Sequence, residues 1–423
     1  MIALMALAAL GAECTVISGT TAATSDGLQK GVSVILDGGR VAAVGRGLEG
    51  LELTLGAQSE VSGASWQGRS CAFVQGNGTI TTAGLIAVDS QLGLVEVGME
   101  GASRDNDAGG DAIRASVRIV DGYNPRSSLI AIQRAGGVTS ALTRPNGGWV
   151  AGQAAHVRLA GRTQAEAVVS ESVTMVASLA GPSTAGGLAQ LVDLLDDARD
   201  YHRNKAAYAQ GRTRPYSEGA SRADLEALQP VLTGALPLSL SANRASDLEA
   251  LARFKVEQDI ALVVHGAAEG WLVADTLAEA GIPVVIDPLV YGPGSFDEIH
   301  GRADNAKLLA DAGVQVMFTA GTHNARNLRQ RAGNAVRGGL ARSAALAALT
   351  EVPAAVYGLD AGRLEAGSAG DVVVWSGDPL ELSSAPVAVF VGGEARSLEN
   401  RQTRLRDAYR ELPGTPTPPL TLP

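Results

Sequence analysis

From residue 128 to residue 350 the chain repeats one pattern: a segment with apolar residues at helical spacing, then a short run of β-branched and apolar residues. It reads as Ser128 to Ala135 before GGVTSAL, Leu188 to Tyr208, Asp247 to Phe254 before IALVV, Trp271 to Ala280 before IPVVI, and Asp304 to Ala312 before VQVMF. Ser343 to Thr350 closes the series. Short continuous apolar runs suit strands buried on both faces, and the helical segments between them suit crossovers. Strand and helix in alternation predict parallel βα units, and their number fits a closed barrel better than an open sheet. Functional groups would then gather where the strands end, at the C-terminal face.

The flanks have a different texture. Cys14 to Gly45 (CTVISGTTAATSDGLQKGVSVILDGGRVAAVG) consists of β-branched runs broken by Asp26-Gly27 and Asp37-Gly38-Gly39, which are hairpin signals. Short strands and Gly turns return at Gly370 to Trp375 and Val387 to Gly393, so one β-domain assembled from both chain ends is expected. Gly47 to Gly78 reads as a β-excursion or loop within it. The predicted organisation is an apparent signal peptide at 1–12, a composite β-sandwich at 13–82 and 359–400, a barrel at 83–358 and a C-terminal tail at 401–423. LPGTPTPPLTLP, at the end of that tail, is Pro/Thr-rich and expected to be extended or disordered.

Composition narrows the partners. With 423 residues, 46% hydrophobic and 18% charged, the chain can bury a large core. Only 4% are aromatic, so aliphatic side chains must fill it. A formal net charge of −10 argues against nucleic acid, whose phosphates need a basic surface. Small-molecule ligands stay open. Met1 to Ala12 (MIALMALAALGA) resembles the apolar region and cleavage zone of a secretory signal and is too short to span a bilayer; because it has no basic start, a buried first strand or helix is the alternative. The signal reading favours a periplasmic or secreted location, with a cytoplasmic one as the alternative. Cys14 and Cys71, the two cysteines, form either one disulfide or two separate buried thiols.

Four stretches together resemble the amidohydrolase superfamily, in particular its imidazolonepropionase-like and prolidase-like branches. They are ILDGGRVAAVG at Ile35 to Gly45, Ala83-Gly84-Leu85-Ile86 at the entry to the first barrel strand, the βα series ending in AGVQVMF, and ALTEVPAAVYGLDAGRLEAGSAGDVVVWSGDPL from Ala348 to Leu380. The resemblance implies an α/β architecture: a TIM-type (β/α)8 barrel of the metal-dependent hydrolase type with a small β-domain. It also implies hydrolysis of non-peptide carbon–nitrogen bonds.

The resemblance further implies a metal held by a His-x-His pair at the end of strand one. Alternate residues of a strand share a face, so such a pair can converge on one ion. Here Asp89 and Gln91 occupy the two places, and an amide is a poor zinc ligand. Ser241, with Asn243 two residues on, stands at the strand-five histidine position. His265 follows ALVV where strand six ends, so Asp89 and His265 are the remnant ligand positions. Thr319-Ala320-Gly321-Thr322-His323 replaces the strand-eight aspartate. The lysine or glutamate that the resemblance implies on strand four has no assigned position; the nearest residues, Thr174 to Ser178, offer neither. The expectation is no resident cofactor, or one weakly held divalent metal.

The leading expectation is a degenerate, weakly active or non-catalytic member of the family. Its alternative is an active hydrolase with a mononuclear or metal-free site built from Asp89, His265 and His323. Gln91, Ser241, Asn243, Glu269 and Asn324 are candidate substrate-binding residues, although Glu269 also suits a helix-capping role. A further reading is a ligand-binding or scaffold subunit, as a homo-oligomer or paired with an active relative.

Overall fold

A computed structural model describes residues 14–56, 61–107, 109, 112–179, 183–321 and 323–410. The apparent signal peptide at 1–12 and LPGTPTPPLTLP lie outside these residues. Arg401–Arg410, placed above in the tail, forms an exposed helix. Among the described residues no helix is long and apolar enough to cross a membrane.

Both chain ends contribute to one ten-stranded sheet. Cys14–Thr24 pairs with Gly27–Asp37 through the Asp26-Gly27 turn, and Gly27–Asp37 pairs with Arg40–Gly45 through Gly38-Gly39. The excursion after Gly47 becomes three further strands, Leu51–Leu55, Val61–Trp66 and Arg69–Gln75. Ile80–Ala83 joins the two ends. It runs parallel to Cys14–Thr24 and antiparallel to Val372–Trp375, which continues into Pro386–Val391 and Glu394–Arg396. The cysteines resolve as a disulfide, Cys14–Cys71, with Cα atoms 4.8 Å apart. Parallel pairing of Thr15 with Ala72 brings the two residues level across adjacent strands.

The second sheet has eight strands, named here β1 (Leu85–Ser90), β2 (Val138–Thr143), β3 (Val150–Arg158), β4 (Val168–Ala177), β5 (Leu238–Ala242), β6 (Leu262–Gly266), β7 (Val284–Ile286) and β8 (Val316–Phe318). They neighbour one another in chain order, and a parallel bridge from Val88 to Thr319 closes β1 onto β8. The expected barrel is therefore present, with one departure from uniform βα repetition. β3 runs antiparallel to both β2 and β4. A parallel return needs a crossover of a dozen or more residues. Only the Arg144 to Trp149 loop separates β2 from β3, and the one helix between β3 and β4 is the single turn Gln164–Ala167. Hairpins are what these lengths allow.

Two apolar layers hold the barrel. Leu85, Ala87, Val157, Met175, Leu240, Val264, Ile286 and Phe318 face outward against the surrounding helices. Ile86, Val88, Leu142, Ala154, Val263, Val285 and Met317 fill the interior together with Ala354 and Tyr357 of the helix Glu351–Val356 and its C-terminal turn. Neighbouring strands in chain order account for the adjacency rule, and aliphatic side chains filling the barrel make it a packed core.

Thr174 and Ser239, hydrogen-bonded to each other, are buried on the same strands, and an imidazole joins them among the buried polar groups. His156 on β3 is 1% exposed, and its Nε2 has no hydrogen-bond partner. Burial, then the neighbouring Arg158 charge, push the imidazole down to about 4, with Asp360 opposing in part. The unfolded chain takes up this proton near 6.5 and the folded chain does not, so stability is full above pH 6.5 and falls as pH drops towards 4. The expected loss is on the order of 2–3 kcal/mol. Urea unfolding of wild type and His156→Gln at pH 7 and pH 4.5 checks it: the variant should lose distinctly less stability over that interval, and equal losses would refute the assignment.

Candidate functional site

A cavity of about 290 Å³ lies at the barrel mouth, lined by Asp89, Ser241, Asn243, His265 and Thr319 together with Arg144, Asp287, Val290 and Glu298. Each strand end delivers its group for a local reason. Asp89, the penultimate residue of β1, has φ +60°, a left-handed conformation that aspartate tolerates better than most side chains. The twist ends strand alternation there. Gln91 consequently does not share a face with Asp89; only Asp89 lines the cavity, while the Gln91 carbonyl accepts from the Leu94 and Val95 amides.

Ser241 on β5 and His265 on β6 are opposed in the parallel register. Asn243 follows β5 and ties loops together: its amide nitrogen donates to Asp297 Oδ2 at 3.3 Å and Glu298 Oε1 at 3.2 Å, and its Oδ1 accepts from the Ala268 amide at 3.4 Å. Gly266 permits this approach. Its φ is +102°, and a Cβ there would stand 2.3 Å from Asn243 Oδ1.

Asp89 is the hub. Its Oδ1 lies 3.8 Å from His265 Nδ1 and forms a direct ion pair with Arg144 Nε, while its Oδ2 accepts from the Thr319 hydroxyl at 2.7 Å. Burial by itself would raise the carboxyl; His265, the Arg144 charge and the Thr319 hydroxyl outweigh it and hold Asp89 well below the usual carboxylate range. Beneath lies Tyr357, buried and kept protonated by its apolar surroundings. Across the cavity Asp287 pairs with Arg331 at 3.1 Å.

Three further candidates fall elsewhere, as Gln91 does. His323 sits beside Gly98 in the loop after β1, and neither it nor Asn324 is among the residues lining the cavity. Glu269 is buried, with Oε2 accepting from the Ala245 amide at 3.1 Å and Oε1 from the His300 amide at 3.1 Å. It caps the start of the helix Ala245–Gln258, the element before it, rather than the turn that follows, and its acceptors are committed to backbone. Arg144, absent from the sequence candidates, is the largest omission. It follows β2 directly, and its amide donates to the Ser90 carbonyl at 2.9 Å, which seats it next to Asp89.

Residues 245–396 match the model of the amidohydrolase family. Amidohydrolase tasK of Hapsidospora irregularis is 25% identical over 360 residues, covering 74% of this chain and 36% of that protein, so the chain spans about a third of that relative's length. The solved amidohydrolase from Thermotoga maritima MSB8 superposes with a TM-score of 0.76 at 23% identity, covering 90% of this chain and 99% of that one. The stretch 245–396 is thus similar to the amidohydrolase family, and the chain as a whole shares the fold of that solved amidohydrolase. Its fold is shared at lower identity by molinate hydrolase, with a TM-score of 0.54, 16% identity and coverage of 96% and 97%. A prolidase solved with N-methylphosphonate-L-proline gives 0.51 at 13% identity, covering 91% of this chain and 99% of that one.

Proposed function

We propose that the barrel mouth binds a small polar ligand without a metal-activated water, leaving the hydrolysis of carbon–nitrogen bonds expected of the family weak or absent. The observation that carries this reading is the state of Asp89: at the position of a metal donor, its carboxylate is already neutralised by Arg144. His265 is the other remnant donor in the cavity, 3.8 Å away. A catalytic zinc takes three protein ligands and a water. Among the described residues no group of three or more His, Cys, Asp or Glu is placed to share an ion. The donors present do not fit the family's metal, and no catalytic step is derived through it. The cavity itself supports ligand binding, with hydroxyls from Ser241 and Thr319, the Asn243 amide, the His265 imidazole and the Arg144 guanidinium converging on a volume suited to a compact polar molecule.

A second reading draws on the Asp89 and His265 separation: the pair could act as acid and base in metal-free hydrolysis, with Asp89 orienting the imidazole. His323, which is not among the residues lining the cavity, is left out of this reading.

Elemental analysis of the purified protein, combined with assays on dipeptides, lactams and cyclic amides, tests the first reading. The expected result is substoichiometric zinc, manganese and iron with no turnover above background. A full equivalent of metal that disappears in His265→Ala would overturn it. Turnover that survives chelation and is lost in His265→Ala would establish the second.

A further inference from the structure

Asp89 Oδ1 faces the His265 imidazole, 3.8 Å from Nδ1, and is the oxygen an ion shared with that nitrogen would use. Arg144 Nε holds that oxygen. The other oxygen is taken by Thr319. The arrangement is built rather than incidental: the Arg144 amide is anchored on Ser90, the left-handed turn at Asp89 aims its carboxylate, and 29% and 13% of the Arg144 and Asp89 side chains are exposed.

We propose that Arg144 is a built-in cation that takes the place of a divalent ion at this barrel mouth. Its guanidinium supplies the positive charge that Asp89 would otherwise draw from a metal, and its bulk closes the position between Asp89 and His265. The proposal deepens the metal-free reading above and rests on it. The chemical consequence is specific. A guanidinium can hold a carboxylate and donate hydrogen bonds to a ligand, but it offers no open coordination position and cannot turn a bound water into a hydroxide. The charge also cannot be removed by a chelator.

Chemical replacement of the missing cation tests this. Full-length wild type, Arg144→Ala, Arg144→Lys and the double variant Asp89→Asn/Arg144→Ala are melted with and without millimolar cobalt(II) or guanidinium chloride. Arg144→Ala should melt several degrees below wild type, recover most of that loss in either cation, and show paramagnetic broadening of the His265 imidazole signals in cobalt. Wild type and the double variant should respond to neither, since one has its cation and the other has no carboxylate to neutralise. Arg144→Lys keeps a charge at the position and should be blind to cobalt even if Arg144→Ala fails to fold. Cobalt stabilising wild type or Arg144→Lys as much as Arg144→Ala, or a folded Arg144→Ala indifferent to both cations, would overturn the proposal. Failure of the underlying reading looks different: it is metal in the wild-type protein as purified.

Discussion

Asp89→Asn is expected to lower the stability of the folded chain by about 3 kcal/mol, the lower end of what removing one partner of a buried ion pair costs. Asparagine keeps the shape of the side chain and tolerates the left-handed backbone at this position, so the substitution isolates the charge. What it leaves behind is the Arg144 guanidinium, which has no carboxylate to face and is only partly able to reach solvent. Because the Asp89 carboxyl is held below the ordinary value of 3.8, its stabilisation is present above that pH and is lost as pH falls through the lower folded value. Wild type should therefore show an acid-labile component below about pH 4 that the variant lacks. Urea titrations at neutral and acid pH measure both effects. Removing the guanidinium as well, in Asp89→Asn/Arg144→Met, should return much of the loss, since the paired charges are coupled. A cost below about 1 kcal/mol would place the pair in the class of exposed surface bridges and remove its structural role.

How far the chain could be read from its letters depended on whether the deciding interaction was local. Asn305–Asp311 before Val316–Phe318, and Ala245–Gln258 before Leu262–Gly266, fall where the apolar periodicity puts them, because helix and strand spacing is a property of neighbouring residues. The reversed strand Val150–Arg158 departs from the expected βα repetition although a signal for it is present: Asn146-Gly147-Gly148, between Val138–Thr143 and Val150–Arg158, is hairpin chemistry. At the mouth, Asp89, Ser241, Asn243 and His265 were legible as strand-end positions and do converge. Gln91 was not, because spacing by two assumes an unbroken strand and the backbone at Asp89 turns left-handed. Arg144 could not be recognised as the partner of Asp89 from a text in which 54 residues separate them; the only clue was its place at the end of a barrel strand. The disulfide was equally non-local, decided by the pairing of the strand that starts at Cys14 with the one that contains Cys71.

The same non-local logic predicts that Trp375→Ala, far from the mouth, will cost about 3–5 kcal/mol. Trp375 ends the first strand returned to the β-domain by the C-terminal part of the chain, and it is 0% exposed. Its indole nitrogen donates to Thr82 Oγ1 at 3.0 Å, on the strand that leads into the barrel. The Arg329 guanidinium stacks 4.9 Å from the ring centroid, and Arg329 in turn donates to the Ser384 carbonyl. Its far edge packs on Gly137 at the entry to β2; there φ is +91°, and a Cβ would come within 2.2 Å of the ring. One side chain thus joins the two chain ends and the barrel wall, so its loss leaves a cavity at their seam and removes the aromatic face against which Arg329 is buried. Since the seam lies between the two sheets, unfolding followed by barrel and β-domain probes should still be a single transition, shifted to lower denaturant, if the composite domain and barrel fold as one unit. Two separated transitions in Trp375→Ala, with the barrel at wild-type stability, would show instead that the barrel stands without its β-domain.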